Sequence, residues 1–277
     1  MIFTPTKCTT ITALATEHRL RKNGSDRIVG YIMMKLLSTD VDNTIVGDRK
    51  SCRKIAEILL SYQQSIRLVY ATGRSKVQMF EIMYDENLLE PEYMICNIGT
   101  DIYTRPDYQR DDAWAEHINY KWDRLDVARA LKSIPNLFEQ SRQYQFKQSY
   151  HLFRGAETVI PQIHKTLDDI GIAHVVCYSS SVDLDVIPAR AGKGKAVDYV
   201  RKKLGIDKKH VLAAGDSGND RELLSMGFMS VVVANHKSEL KVEKLPADVY
   251  WAKLDYAAGV IEGMEHYNFI PRVYASR

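Results

Sequence analysis

Cysteine, proline, glycine and long apolar runs are all scarce in this 277-residue chain. Its four cysteines, Cys8, Cys52, Cys96 and Cys177, lie far apart and form no C-x-x-C pair. Disulfide frameworks belong to small oxidised domains, and thiolate metal sites need close ligand pairs. Both are excluded, which leaves isolated reduced thiols in a cytoplasmic protein. Eight prolines and 15 glycines rule out a collagen-like or linker-dominated chain. The apolar run at residues 28–34 ends at Lys35, well short of the ~20 residues of a membrane span. A dominant charge sign is also missing: 38 Lys and Arg face 35 Asp and Glu, a net +3 that offers no basic field to nucleic acid.

What is present is ordinary globular composition, 45% hydrophobic and 26% charged, in a length that suits about two structural units. The small positive excess sits at the N-terminus, where Lys7, Arg19, Arg21, Lys22, Arg27 and Lys35 outnumber Glu17 and Asp26. Residues 1–34 lack an apolar segment with a small-residue cleavage site, and the two acids argue against an organelle transit peptide. They are expected to form a basic, poorly ordered, dispensable extension. Met33 and Met34 offer an alternative start just before the first strong strand.

From residue 35 onward, short apolar runs alternate with amphipathic stretches. Residues 35–42 (KLLSTDVD), 66–71 (IRLVYA) and 93–97 predict buried strands, and 51–64 a helix with Ile55, Ile58, Leu59 and Tyr62 on one face. Between 113 and 187 the texture changes to helices over 123–133 and 158–170 and strands over 143–153, 172–179 and 183–187. After Pro188 the first pattern resumes: helix 195–204, strand 210–214, helix 220–226, strands 230–233 and 249–252, and a last helix through Tyr267. The expected fold class is α/β, a doubly wound, Rossmann-like parallel-sheet core over 35–112 and 188–277 with an α+β cap inserted at 113–187.

Ligands of such sheets bind at the carboxyl ends of the strands, and three polar clusters fall there. Asp40-Val41-Asp42-Asn43-Thr44 closes the first strand. Two acids one residue apart, where the chain curls off a strand, suit one group that attacks and one that handles a proton. A solvated strand end is the alternative, but the apolar run before the acids and Thr44 after them favour chemistry. Thr72-Gly73-Arg74 follows the second strand, and its hydroxyl and amide at a helix start make either a phosphate seat or an ordinary N-cap. Gly215-Asp216-Ser217-Gly218-Asn219-Asp220 places two carboxylates four residues apart in a glycine-rich turn, which suits a hard, oxygen-ligated cation such as Mg2+. Lys193, in a tight loop opening a helix, either neutralises phosphate or is a solvated surface lysine.

Taken together, D-x-D-x-T, the threonine after the second strand, the lysine at a helix start and G-D-x-x-x-D resemble the haloacid dehalogenase-type phosphatases. The resemblance implies that Asp40 attacks phosphorus, already ionised at neutral pH because a free Asp titrates near ~3.9. Asp42 would protonate the leaving oxygen and then deprotonate water. Mg2+ would be held by the Asp40 carboxylate, the Asp42 main-chain carbonyl and Asp216, with Asp220 or Asn219 supporting through water. Thr72, Gly73 and Lys193 would hold the phosphoryl oxygens.

Within that group, LSTDVDNT with VGD, YATGRS, KQSYHL, SSSVDLDVIP and GDSGND are similar to the sucrose-phosphate phosphatase family, over about residues 35–267. This likeness implies a phosphosugar substrate gripped by the inserted cap. Asn43, Arg74, Lys147, Tyr150, His151 and Asp183 are its expected contacts, and a sugar-phosphate synthase its expected associate. Two positions depart from the family pattern, Phe146 where a Trp is usual and Val182 where a Lys is usual, and both are expected where the sugar is read. Bacterial mannosylfructose-phosphate phosphatases share the same core features, including GVIEG at 259–263. A phosphosugar mutase and a non-catalytic synthase partner are the alternatives. The intact set of Asp40, Asp42, Lys193, Asp216 and Asp220 weighs against the second.

Overall fold

The computed structural model describes residues 33–242 and 245–271, so the expected N-terminal extension lies outside the described residues apart from its last two positions. Its elements in chain order are β1 (Lys35–Thr39), α1 (Arg49–Ser61), β2 (Ile66–Ala71), α2 (Lys76–Asp85), β3 (Tyr93–Cys96), β4 (Asp101–Thr104) and β5 (Gln109–Arg110). There follow α3 (Asp112–Ile118), α4 (Arg124–Leu131), β6 (Phe138–Glu139), β7 (Gln148–His151), α5 (Ala156–Asp169), β8 (His174–Ser179) and β9 (Asp183–Pro188). The chain continues through α6 (Lys193–Lys203), β10 (Val211–Gly215), α7 (Arg221–Leu224), β11 (Met229–Val232), α8 (Glu239–Val242), β12 (Tyr250–Trp251) and α9 (Tyr256–His266).

The larger sheet has the order β12-β11-β10-β1-β2-β3-β4-β5. Its first six strands are mutually parallel, and β4 and β5 are antiparallel additions at one edge. Successive side chains of a strand face opposite ways, so the continuous apolar runs bury both faces. In β1, Leu37 joins the cluster under α1, α2 and α9, while Leu36 joins the cluster under α6 with Val200 and Leu223. The chain winds outward from β1 in both directions, toward β2 and β3 on one side and β10 to β12 on the other. The crevice at the carboxyl ends of β1, β2 and β10 is therefore the topological switch point, where such sheets place ligands.

A second, antiparallel sheet has the order β6-β7-β9-β8. Tyr150, Leu152, Leu184 and Val186 turn one face of it toward Val127 and Leu131 of α4 and Ile163 of α5. The strand expected over 143–153 is shorter, because the chain turns at residues 144–147 through a Tyr144–Lys147 bridge. The Gln143 side chain secures that turn, donating to Gln140 O and Ser149 O and accepting from Ser149 N. The change of texture expected at 113 falls inside α3, whose Trp114 and Ile118 pack with the larger sheet's core. The edge strands β4 and β5 were not foreseen. No helix among the described residues is long and apolar enough to cross a membrane.

Candidate active site

Four loops converge at the switch point. Asp40 follows β1, with its amide donating to Ala214 O of β10 at 2.9 Å. Asp216 follows β10 and Thr72 follows β2. Lys193 is the first residue of α6, a helix with no side-chain cap of its own. Glu222 of α7 takes over that task, accepting the amides of Gly194 at 2.8 Å and Lys195 at 3.1 Å. A carboxylate there satisfies helix-start donors and locks the lysine's backbone.

Lys193 is only 1% exposed, so it is no solvated surface lysine. Its Nζ donates to Asp40 Oδ1 at 3.0 Å, Asn219 Oδ1 at 2.7 Å and Asp220 Oδ1 at 2.7 Å. Burial works against its charge, but Asp220 and Asp40 outweigh it and hold the ammonium above its ordinary range. The other Asp220 oxygen accepts the amides of Asp216 and Ser217 at 3.0 and 3.1 Å. Gly215 is required here, because a Cβ would come within 2.5 Å of the Asp220 side chain.

Asp40, Asp216 and Asp220 are all buried, and a ligand oxygen of each lies within 4.8 Å of the others. Burial, reinforced by Asp220, pushes the Asp40 carboxyl well above its ordinary value, against the pull of Lys193. Burial thus opposes the ionisation expected of a free Asp, while the Lys193 ammonium favours it. Asp216 is raised too, first by burial and then by Asp220 and Asp40. Thr44 Oγ1 donates to Asp216 Oδ1 at 3.3 Å, and Asp216 Oδ2 is buried with no hydrogen-bond partner. Three close carboxylates, one of them with an orphaned oxygen, form a donor set that fits a hard divalent cation.

These groups open into a cleft of about 300 Å³. One wall is Asp40, Asp42, Asn43, Thr72, Gly73 and Arg74, with Asp216, Ser217, Asn219 and Lys237 beside them. Lys193 and Asp220 stand behind that wall, reaching it through Asp40 and Asn219. A Cβ on Gly73 would meet nothing nearer than 3.9 Å, so packing does not demand glycine, and the space beside it belongs to the cleft. Arg74 grips both oxygens of Asp42, donating from Nε and Nη2 at 2.7 Å each.

The facing wall comes from the smaller sheet and its turn: Gln140, Arg142, Tyr144, Lys147, Ser179, Ser180, Asp183 and Asp185. Lys147 Nζ lies 3.7 Å from Asp185, and Ser149 donates to the same carboxylate. Gln140 Nε2 donates to Asp183 Oδ1 at 3.1 Å. Tyr150 is not on this wall. Period-two alternation turns it to the opposite face, where it is buried among Leu152, Leu184 and Ile163. His151 is half exposed and set back from the cleft, 3.4 Å from Asp183. Phe146 packs with the larger core under the Arg110 guanidinium, and neither it nor Val182 lines the cleft. Asp185 was overlooked, although the D-L-D alternation puts it on the same face as Asp183 with Leu184 and Val186 pointing away. Gln140, Arg142 and Lys237 carried no local signal, because turns bring them in.

Comparison with known proteins bears on the whole of this arrangement. A solved sucrose-phosphatase from Synechocystis sp. PCC6803, in complex with sucrose and phosphate, superposes with a TM-score of 0.82 at 32% identity, covering 86% of this chain and 99% of its own. Sucrose-phosphatase 1 of Nicotiana tabacum is 32% identical over 254 residues, 85% of this chain. This chain spans 60% of that tobacco relative's length. The mannosylfructose-phosphate phosphatase of Agrobacterium fabrum is 28% identical, covering 86% of this chain and 99% of its own. Residues 33–268 match the model of one family from end to end of the two sheets, so the chain belongs to the sucrose-6F-phosphate phosphohydrolase family.

Proposed function

We propose that this chain is a Mg2+-dependent phosphatase of a disaccharide phosphate, with sucrose 6-phosphate as its first substrate. The observation that carries the reading is the buried Asp40–Asp216–Asp220 cluster around Lys193, with one oxygen of Asp216 unsatisfied, at the floor of a cleft with a polar second wall. The smaller sheet acts as a cap on that cleft. The Synechocystis relative, whose complex holds sucrose and phosphate, supports the choice of sugar. The Agrobacterium relative supports mannosylfructose phosphate as the second candidate.

Asp40 and Asp216, with the main-chain carbonyl of Asp42, would hold Mg2+, which supplies charge to screen an anionic nucleophile from an anionic ester. An Asp40 carboxylate oxygen forms a bond to phosphorus as the bond from phosphorus to the sugar oxygen breaks. Asp42 gives that departing oxygen its proton, and then accepts one from the water that cleaves the aspartyl-phosphate. Asp42 is engaged by Arg74 at rest, so it must part from the guanidinium before it serves. Thr72 and the Gly73 amide receive the phosphoryl oxygens, and Lys193 neutralises charge through Asp40. Lys147, Asp183 and Asp185 meet sugar hydroxyls from the cap side, with Asn43 and Arg74 at the seam.

A cytoplasmic location goes with this reading and with the free thiols of Cys52, Cys96 and Cys177. Association with the synthase that makes the phosphosugar belongs to the same reading and is tested by co-elution. The deciding experiment is phosphate release, with Mg2+ and with EDTA, from sucrose 6-phosphate, mannosylfructose phosphate and simple hexose phosphates. Mg2+-dependent release that is fastest from sucrose 6-phosphate is expected. No release from any member of the panel overturns the proposal.

A further inference from the structure

The cap and the core meet at a carboxylate that the proposed reaction does not use. Glu239 opens α8, and a single oxygen, Oε1, accepts two amides: Gly218 of the core turn at 2.8 Å and Ser180 of the β8–β9 turn at 3.0 Å. Ser180 and Ser181 both have left-handed backbones, φ 54° and 57°, with Val182 N–H closing the turn on Ser179 O at 3.2 Å. This is the two-residue hairpin turn that favours Asn-Gly, and each serine there holds a left-handed backbone that a Cβ disfavours. Its first central amide points away from the strand ladder at an exposed position, and Glu239 takes the place water would otherwise fill there.

The core side is equally constrained. A Cβ on Gly218 would stand 2.8 Å from Tyr178 O of β8 and 3.0 Å from Glu239 Oε1, so only glycine admits this approach. Two residues before Glu239, the Lys237 amide donates to Asp216 O at 2.8 Å. One short segment therefore braces the backbone of Asp216, the turn after it and the tip of the cap hairpin. Ser180 and Asp40 both line the cleft, so this clamp ties the tip of the cap hairpin to the core beside the cleft itself.

We propose that Glu239 is a positioning residue, clamping the cap hairpin to the Gly218–Asp220 turn so that sugar-facing and phosphate-facing groups are presented at one separation. The inference rests on the phosphosugar reading above. Its test compares the full-length wild type, Glu239→Ala and Glu239→Gln on sucrose 6-phosphate and on p-nitrophenyl phosphate, which has no sugar for the cap to hold. In Glu239→Ala the KM for sucrose 6-phosphate is expected to rise about tenfold, the worth of one charge-assisted hydrogen bond, with kcat within about threefold. Its kcat/KM for p-nitrophenyl phosphate stays within about threefold, and Glu239→Gln, whose amide oxygen accepts the same two N–H groups, stays within about twofold of wild type on both. Parallel losses on both substrates, or an unchanged KM, overturn the clamp. Hydrogen exchange without substrate separates this failure from failure of the substrate assignment. Peptides spanning residues 178–183 should exchange about tenfold faster in Glu239→Ala. Unchanged exchange overturns the clamp, while faster exchange in a chain whose wild type ignores sucrose 6-phosphate supports the clamp and overturns the substrate.

Discussion

The guanidinium of Arg74 and the carboxylate of Asp42 meet as a two-pronged pair, 2.7 Å on each arm, across 32 residues of sequence. Both side chains are partly solvated, 29% and 43% exposed. Such a pair adds little to folding, yet it fixes where Asp42 rests. Arg74→Ala is expected to change urea-unfolding stability by less than about 1 kcal/mol and, by removing a guanidinium proposed to meet the substrate at the seam, to cut kcat/KM at least tenfold. Equal kcat/KM in wild type and variant would remove Arg74 from the site.

Asp40→Asn tests the nucleophile. The amide oxygen still accepts from Lys193 and one charge leaves a crowded acidic cluster, so the fold should survive or gain stability. Turnover should fall by about four orders of magnitude or more. A folded Asp40→Asn protein with near-normal phosphate release would sink the mechanism.

Lys193 is the hub of the buried network, and Lys193→Met would leave the carboxylates of Asp40 and Asp220 without their buried cation. Removing one partner of a buried ion pair costs about 3–5 kcal/mol, so denaturant midpoints should drop sharply. Asp40→Asn/Lys193→Met should recover part of that loss, because the two residues touch. Additive losses would show that Lys193 does not counter Asp40.

On the proposed assignment of Mg2+ to Asp40 and Asp216, the ion should raise the melting temperature, since only the folded chain assembles that site. At a hundredfold excess over its Kd the gain is about 2.7 kcal/mol. Asp216→Asn should abolish the shift while leaving the metal-free melting temperature no lower, as the raised Asp216 carboxyl already resists ionisation by burial. A wild-type melting temperature indifferent to Mg2+ would contradict the assignment.

Asp111 gives a pH dependence away from the active site. It caps α3 through Trp114 N–H at 3.0 Å and accepts Lys203 Nζ at 2.8 Å and the Tyr199 hydroxyl. Burial opposes its charge, but these donors prevail and hold the carboxyl below its ordinary value. A folded-state pKa lower than the unfolded one means stability fully present above about pH 4 and lost as pH falls through the folded value. Asp111→Asn, which keeps the cap but loses the charge facing Lys203, should therefore lower stability at pH 7 and flatten the acid side of the stability curve. An unchanged acid limb in the variant would contradict this account.

Legibility in the sequence followed locality. Asp40, Thr72, Lys193, Asp216 and Asp220 stand in short patterns at strand or helix ends, and one chain direction of a parallel sheet brings all such ends to one rim. The Arg74–Asp42 pair and the seat of Lys193 behind Asp40 depend on contacts between distant segments, which no local spacing encodes. The smaller sheet was read as polar alternation, but choosing Tyr150 over Asp185 required knowing which parity faces the cleft. Leu184 and Val186 carried that parity, had Asp183 and Asp185 been read against them. Strands β4 to β6 escaped because two to four residues give too little period to detect.

The split of the larger sheet also governs the order in which the molecule is assembled. Strand β1 pairs with β2 nearby in sequence, but its other edge closes only on β10, and the Thr44–Asp216 contact spans 172 residues. Loop closure of that length comes late and slowly in folding. Until β10 leaves the ribosome, a nascent chain carries Leu36 and Leu37 on an unpaired strand edge, a template for association with other chains. The strand that places Asp40 at the centre of the finished sheet is thus the one most in need of protection during synthesis.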